Sequence, residues 1–106
     1  MAFQIASNLL DACVLAILEK SDTYGYKLTQ EIKEVVSISE STLYPVLRRL
    51  QKDQCLEIYD EAVLGRNRRY YRITPTGREQ LLRYMQEWDS YVAQVNVILK
   101  GGMTSE

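Results

Sequence analysis

Residues 41–50 have the sequence Ser41-Thr42-Leu43-Tyr44-Pro45-Val46-Leu47-Arg48-Arg49-Leu50, and their pattern is the clearest indication of the fold. At about 3.6 residues per turn, its four aliphatic side chains fall on one stripe of a helix. The opposite face and its flanks carry hydroxyl groups, cations and one proline, namely Ser41, Thr42, Tyr44, Pro45, Arg48, Arg49 and Lys52. Hydroxyl and guanidinium groups donate hydrogen bonds to phosphates and to base edges. The stretch is therefore typical of a helix that enters the major groove of DNA.

A second basic segment follows, Gly65-Arg66-Asn67-Arg68-Arg69-Tyr70-Tyr71-Arg72-Ile73-Thr74. Residues 56–61 alternate for most of their length between apolar and polar, which predicts a half-buried strand. Residues 62–67 are expected to form a hairpin tip, and residues 68–74 the returning strand. The tip side chains expected to bind the DNA backbone or enter the minor groove are Arg66, Asn67, Arg68 and Arg69. A basic helix followed by a basic hairpin predicts a winged helix-turn-helix, in an α+β fold that is mainly α.

The charge of the chain is unevenly distributed. The 106 residues include 13 Lys and Arg and 14 Asp and Glu, so the net charge is -1, which taken alone argues against a nucleic-acid binder. Residues 41–83, however, hold nine basic and five acidic residues, whereas residues 1–40 hold three and six. The basic charge is concentrated on the predicted helix and hairpin, which restores DNA as the expected partner.

Motifs for metal binding and catalysis are missing from the sequence. It contains no histidine, and its two cysteines, Cys13 and Cys55, do not form a CxxC pair, so we expect free thiols, no zinc and no cofactor. Without a nucleophile motif or a phosphate loop, an enzyme is not expected. No signal peptide and no apolar run of about 18 residues are present, so we expect a soluble, cytoplasmic protein that does not bind membranes.

Two further helices are predicted before the basic helix. Residues 4–19 form a helix that is apolar all round over residues 12–18, which predicts cover from a second subunit. The cap-forming run Ser21-Asp22-Thr23 predicts a second helix over residues 24–36. The inner face of this second helix is expected to consist of Tyr24, Leu28, Ile32 and Val35.

The connection between the second and third helices is short, as a helix-turn-helix requires. Ser39 or Ser41 is expected to cap the third helix, which ends near residues 53–54. Pro45 is tolerable only if that helix begins close to Ser41, which leaves its first amides facing a phosphate. Tyr24 and Lys27 are candidate contacts to the DNA backbone, although core packing and solvent exposure explain them equally well.

A long C-terminal helix is predicted from Thr74-Pro75, a capping residue followed by proline at the first helical position, to about Lys100. Its apolar residues follow coiled-coil spacing at Leu81, Met85, Trp88, Val92, Val95 and Leu99. We interpret it as a dimerisation helix that packs, with Leu9 and Leu10, against a second subunit. The chain then divides into a winged helix-turn-helix domain (residues 1–74), a dimerisation helix (75–100) and a disordered tail (101–106).

Trp88, the single tryptophan, has two interpretations. It is either a large interface residue or a ligand platform, in which two copies across a twofold axis sandwich a small aromatic or cationic compound. Asp11 is an acid within an apolar helix and is expected either to be exposed or to face the same cavity. Of Tyr70 and Tyr71, at least one is expected to pack on the core rather than to stack on bases.

The helix and hairpin motifs, with Tyr24-Gly25-Tyr26, Thr76-Gly77-Arg78 and Trp88, resemble the PadR family of bacterial transcriptional regulators. The resemblance covers about residues 7–92 and points to the compact subfamily with a single C-terminal helix. It implies a homodimeric repressor that binds a pseudo-palindromic operator and is released by a small effector.

The resemblance also implies an effector pore lined by Trp88, Asp11, Ala12 and Tyr84, in which the bulk of Tyr84 narrows the cavity. Two alternatives remain open. One is a winged-helix module that binds an acidic protein, and the other is a small-molecule-binding protein without an operator.

Overall fold

The structure, a computed structural model, describes residues 7–101. The elements in chain order are α1 (Ser7–Lys20), β1 (Thr23–Tyr24), α2 (Gly25–Lys33), α3 (Glu40–Lys52), β2 (Leu56–Val63), β3 (Arg66–Ile73) and α4 (Pro75–Leu99). The strands form an antiparallel sheet in the order β1-β3-β2. The predicted α+β, mainly helical winged helix-turn-helix is confirmed.

The core lies where α1 packs against α3 and α4. Its buried side chains come from the predicted stripes of the helices and from the strand ends nearest to them, and they are Leu10, Val14, Leu15, Leu18, Leu28, Ile32, Leu43, Val46, Leu47, Leu50, Cys55, Leu56, Ile73 and Leu81. Burying an aliphatic side chain of this kind stabilises the fold by about 1.5–3 kcal/mol. One chain therefore covers much of α1, the helix for which the sequence predicted cover from a second subunit.

Two residues predicted to lie at a dimer interface belong to this core. Leu10 is 1% exposed and Leu81 is 7% exposed in the single chain. Both helices are apolar on more than one side, and the face that each of these residues occupies is filled by the other helix of the same chain. Leu9, beside them, is half-buried.

The second helix is shorter than predicted at both ends. Tyr24 lies in β1, where Thr23 and Tyr24 pair with Tyr71 and Tyr70 of β3. Thr23 is β-branched and Tyr24 is aromatic, and both residue types favour strands. The open edge of β3 gives them a strand to pair with, so they form β1 rather than the cap of a helix. Val35, predicted on the inner face, is 84% exposed, because α2 ends at Lys33 and the chain turns there.

The hairpin has a tighter tip than predicted. Ala62 pairs with Asn67 and Val63 pairs with Arg66, so the strands extend to a two-residue turn. That turn is Leu64-Gly65, and both of its residues have positive φ, 52° and 77°, as a type I′ turn requires. The strand ladder therefore holds residues that were expected in a loose loop.

The start of α4 is confirmed. The Thr74 hydroxyl oxygen accepts a hydrogen bond from the Gly77 amide at 2.9 Å, and Pro75 occupies the first helical position. The same hydroxyl donates to the Gln54 carbonyl at 2.7 Å, which fastens the helix to the end of α3. α4 ends at Leu99, followed by Gly101 with φ of 71°. Most of the predicted tail, residues 102–106, lies outside the described residues, as do residues 4–6 of the predicted first helix.

The part of the chain that the structure describes contains no helix long and apolar enough to cross a membrane. Within the same residues, no group of three or more candidate side chains could hold a metal ion. Cys55 is buried and Cys13 half-buried, both as free thiols. Burial raises the pKa of both thiols.

Candidate nucleic-acid interface

The solvent face of α3 is the face predicted from the sequence. Four aliphatic side chains of α3 are buried in the core. Seven residues of α3 were predicted to contact DNA. Six of them are exposed, namely Ser41, Thr42, Tyr44, Pro45, Arg48 and Lys52. The structure thus brings these donors to one convex surface, where their contact with DNA stays a prediction.

The N-terminal end of α3 carries a cluster of hydroxyl groups. The Ser39 hydroxyl lies 3.1 Å from the Ser41 hydroxyl and 2.9 Å from that of Thr42, and it caps no backbone amide. The Thr42 amide donates to the Ser39 carbonyl at 3.1 Å, and no side chain caps the amides before it, at the positive end of the helix dipole. Pro45 has no amide hydrogen to offer the Ser41 carbonyl, and it lies on the exposed face of α3.

Arg49 differs from the other α3 residues predicted to contact DNA, because it binds an acid of the same chain. Its Nη2 donates to Oδ1 of Asp11 in an ion pair that joins α3 to α1. Asp11 is only 4% exposed, so the expectation that it might be exposed is wrong. A buried carboxylate needs a charged or hydrogen-bonding partner, and Arg49 lies on the flank of α3 that faces α1. Its guanidinium group is thus held by a buried acid of the same chain, while 40% of the Arg49 side chain is exposed.

The wing, defined as β2, β3 and their turn, carries acids opposite its arginines. Asp60 pairs in register with Arg69, and Glu61 with Arg68, whereas Arg66 lies opposite the uncharged Val63. Arg69 Nε is 3.8 Å from Asp60 Oδ1. Cross-strand pairs of opposite charge attract each other, so they offset part of the wing's positive potential. Arg66 and Asn67, beside the turn, are both exposed.

Three tyrosine rings in contact, one pair stacked and the other edge-on, join the wing to the start of α2. The Tyr70 ring lies 5.5 Å from that of Tyr59 and 5.6 Å from that of Tyr24, measured between centroids. The Arg68 guanidinium lies over Tyr24 at 4.3 Å, within the range of a cation–π contact. Tyr24, predicted to touch the DNA backbone, is therefore half-buried among protein groups, while Lys27 is exposed.

The outer side of this stack is anchored by Asp22. The Tyr59 hydroxyl donates to Asp22 Oδ2 at 2.8 Å, and this hydrogen bond is the main cause that raises the pKa of Tyr59. Tyr71, on the other face of β3, packs on the core, as predicted for at least one member of the tyrosine pair. The base of the wing is consequently tied to the rest of the domain through both faces of its sheet.

Tyr26 was not among the residues predicted to lie at the DNA-binding surface. It is exposed beside Tyr44, and both line a shallow pocket between α2 and α3 together with Glu40. Its position could have indicated that it is exposed, since it is the second residue of a helix whose inner face begins at Leu28. Two phenol groups and one carboxylate thus lie at the edge of the basic face.

The residues proposed for effector binding separate into two groups. Asp11 and Tyr84 bind each other within the chain, since the Tyr84 hydroxyl donates to Asp11 Oδ2 at 3.1 Å. Burial, and then the charge and hydrogen bond of Asp11, raise the pKa of Tyr84 to about 12. Trp88 is 45% exposed, with the Tyr91 ring 6.4 Å away, and Ala12 is half-buried.

The distal part of α4 is apolar and largely uncovered. Among the described residues of this helix, only Gly77 and Leu81 are buried. Its exposed large apolar side chains are Leu82, Met85, Trp88, Tyr91, Val97, Ile98 and Leu99, while Val92 and Val95 are half-buried. The described part of the chain is accordingly elongated, with extents of 63 × 32 × 21 Å.

Comparisons with known proteins agree with this geometry. The family model described as the transcriptional regulator PadR-like family matches residues 14–83. An uncharacterised protein of Lysinibacillus sphaericus is 35% identical over 97 residues, which cover 87% of this chain and 89% of that protein. The transcriptional regulator Rv3488 of Mycobacterium tuberculosis is 44% identical over 62 residues, or 58% of each chain.

Solved structures share the whole architecture. The crystal structure of smu.1704 from Streptococcus mutans has a TM-score of 0.88 at 37% identity and covers all of both chains. A PadR-like transcriptional regulator from Bacillus cereus has a TM-score of 0.78 at 36% identity, over 87% of this chain and 92% of that one. The chain therefore belongs to the PadR-like family of transcriptional regulators, and this membership supports DNA as its partner.

Proposed function

We propose that this protein is a homodimeric repressor that binds a pseudo-palindromic operator and is released by a small effector at the dimer interface. The observation that carries the proposal is α4, which runs beyond the winged domain with its apolar seam uncovered. Each chain carries one recognition helix, so two chains that pair along α4 present two recognition helices to DNA. Because its target is chromosomal DNA, it acts in the cytoplasm.

The proposed DNA complex places the two copies of α3 in successive major grooves, about 34 Å apart along the helix axis. Arg48 and Lys52, exposed on the outer face of α3, contact base edges and phosphates. Arg66, opposite the uncharged Val63, is the wing residue best suited to the flanking backbone. Repression then follows from occupancy of the promoter.

The proposed dimer interface is narrower than the sequence predicted. Leu10 and Leu81 are excluded because they are buried within one chain. The remaining seam residues are Met85, Trp88, Val92, Val95 and Leu99, and Leu9 of α1 is half-buried in the single chain. Their coiled-coil spacing suits a knobs-into-holes contact with a second copy of α4.

The proposed effector site lies between the two copies of Trp88. Two indole rings facing each other across a twofold axis suit a planar aromatic or cationic molecule. Such a ligand acts on DNA binding only if it favours one spacing of the two winged domains over another. Quenching of Trp88 fluorescence reports its binding directly.

Fluorescence anisotropy on the protein's own promoter, against a scrambled duplex and across a salt series, tests the proposal. If each protomer neutralises about three phosphates, the log–log salt slope is about -5. We expect the promoter to be preferred by about a hundredfold or more, since specific sites usually exceed non-specific DNA in affinity by about 10³-fold or more. Equal and weak binding to both duplexes would overturn the proposal and favour a winged-helix module that binds protein.

A further inference from the structure

Three helices meet at one buried carboxylate, that of Asp11 on α1. Its Oδ1 accepts from Arg49 Nη2 of α3, and its Oδ2 accepts from the Tyr84 hydroxyl of α4 at 3.1 Å. The side chain of Asp11 is 5% exposed and that of Arg49 is 40% exposed. One residue thus joins the helix that faces DNA to the helix that carries the proposed dimer seam.

The three side chains are constrained to move together. A buried ionised carboxylate is strongly unfavourable unless charged and hydrogen-bonding partners surround it, so neither partner can leave without replacement. Tyr84 remains a donor at neutral pH, because its pKa is raised to about 12. A displacement of α4 near Tyr84 therefore acts on Asp11 and, through it, on Arg49.

We propose that Asp11, Arg49 and Tyr84 form a positioning cluster that sets the angle of α3 according to the placement of α4. Arg49 then acts inside the protein rather than as a contact to DNA. This inference rests on the proposed function, since it supplies the route by which a change between two copies of α4 alters operator binding.

A rival explanation predicts the opposite sign for the same substitution. If Asp11 merely withholds Arg49 from phosphate, Asp11→Asn would free a cation. All DNA would then bind more tightly and with a steeper salt slope, by about 0.9 per added phosphate contact. A positioning cluster predicts that Asp11→Asn weakens operator binding and leaves the slope unchanged.

The chain offers a matched control. Arg78 Nε of α4 donates to Glu19 Oε1 of α1 at 2.8 Å, a second ion pair between the same two helices. Both partners are exposed, and their ion pair includes no residue of the cluster, so Glu19→Gln removes an α1–α4 contact and leaves the three cluster side chains in place.

Anisotropy with operator and scrambled duplexes is the first measurement. We expect Asp11→Asn, which removes the charge that both partners bind, to lower operator preference about tenfold or more. Tyr84→Phe removes only one of the hydrogen bonds to that carboxylate, and we expect it to lower the preference by about threefold or more. Glu19→Gln should stay within about twofold of the parent protein. Unchanged preference in both cluster variants, or tighter binding to all DNA, overturns the inference.

Hydrogen exchange of the α3 amides is the second measurement, and it needs no operator. We expect faster exchange over residues 43–50 in Tyr84→Phe than in Glu19→Gln. Equal exchange in the two variants overturns the inference, even if Asp11→Asn fails to fold. If the parent protein shows no operator preference, the proposed function fails, while the exchange data still decide whether the cluster positions α3.

Discussion

Gly77, in the first turn of α4, is the position where the structure makes its sharpest stability prediction. A Cβ atom there would lie 2.3 Å from the Cys55 carbonyl oxygen and 2.8 Å from Cγ1 of Ile73. Separations under 3.0 Å are essentially never seen for real Cβ atoms, and the nearer neighbour is backbone. Gly77→Ala therefore requires α4 to move away from the start of β2.

The size of the effect follows from two opposing contributions. Overpacking of this kind costs about 3 kcal/mol, the upper part of the usual range. Alanine recovers about 1 kcal/mol through its higher helix propensity. The movement also strains the bond from the Thr74 amide to the Cys55 carbonyl, which is 3.0 Å long. We expect a net loss of about 2 kcal/mol in the free energy of unfolding, since the two contributions partly cancel.

Urea denaturation at one fixed protein concentration measures this loss, because dimerisation would make the midpoint depend on concentration. Gly25→Ala is the matched control, since the nearest atom to a Cβ there is Cε1 of Tyr71 at 3.9 Å. We expect Gly25→Ala to be neutral or to stabilise by up to about 1 kcal/mol. Equal urea midpoints for the two variants would contradict this reasoning, because they would show that α4 does not need a glycine at position 77 to approach Cys55.

The other predictions concern DNA, the α4 seam and pH. Arg48→Ala should relax the preference for the operator sequence. Arg68→Ala should lower the affinity for all duplexes equally and only slightly, since Arg68 is held over Tyr24. Parallel losses of affinity in both variants, without a change in preference, would contradict this division of roles. Trp88→Ala should shift the protein towards monomer in sedimentation, while Leu82→Ala, an exposed control off the seam, should not; identical behaviour would place the interface elsewhere. Because the pKa of Tyr84 is raised to about 12 from 10.0, its contribution to stability is complete below pH 10 and is lost as the pH rises towards 12. Unfolding measured from pH 9 to 12 should therefore show a smaller decline for Tyr84→Phe than for the parent protein, and parallel curves would contradict the raised pKa.

Local patterns predicted the elements whose signals are local. The period of about 3.6 residues in α3 identified its buried stripe, and Thr74-Pro75 identified the first turn of α4. Both signals depend only on residues within one or two helical turns. The apolar faces of α1 and α4 were also visible, but periodicity does not say which surface covers each face. Leu10 and Leu81 were assigned to a partner for that reason, although the same chain buries them.

The other features that the sequence did not predict are contacts between residues far apart in sequence. Asp11 and Arg49 are 38 positions apart, and no pattern around either residue indicates the other. β1 has only two residues, so it shows no alternation, and it exists because β3 presents an open edge to Thr23 and Tyr24. In both cases a tertiary contact overrides what the local sequence favours.

The acids of the wing bear on how the proposed regulator would distinguish its operator from other DNA. Non-specific binding is almost entirely electrostatic, so each acid opposite an arginine reduces affinity for every sequence alike. Glu57, Asp60 and Glu61 oppose three of the four wing arginines in register, whereas the outer face of α3 carries Arg48 and Lys52 without an acid between them. The cationic groups best placed to read bases are thus left unopposed, and those placed for the backbone are partly neutralised. Because a genome offers a great excess of competing sites, the ratio of specific to non-specific affinity matters more than either alone. We expect Glu61→Gln to raise affinity for the scrambled duplex more than for the operator, and an equal gain on both duplexes would refute this role of the wing acids.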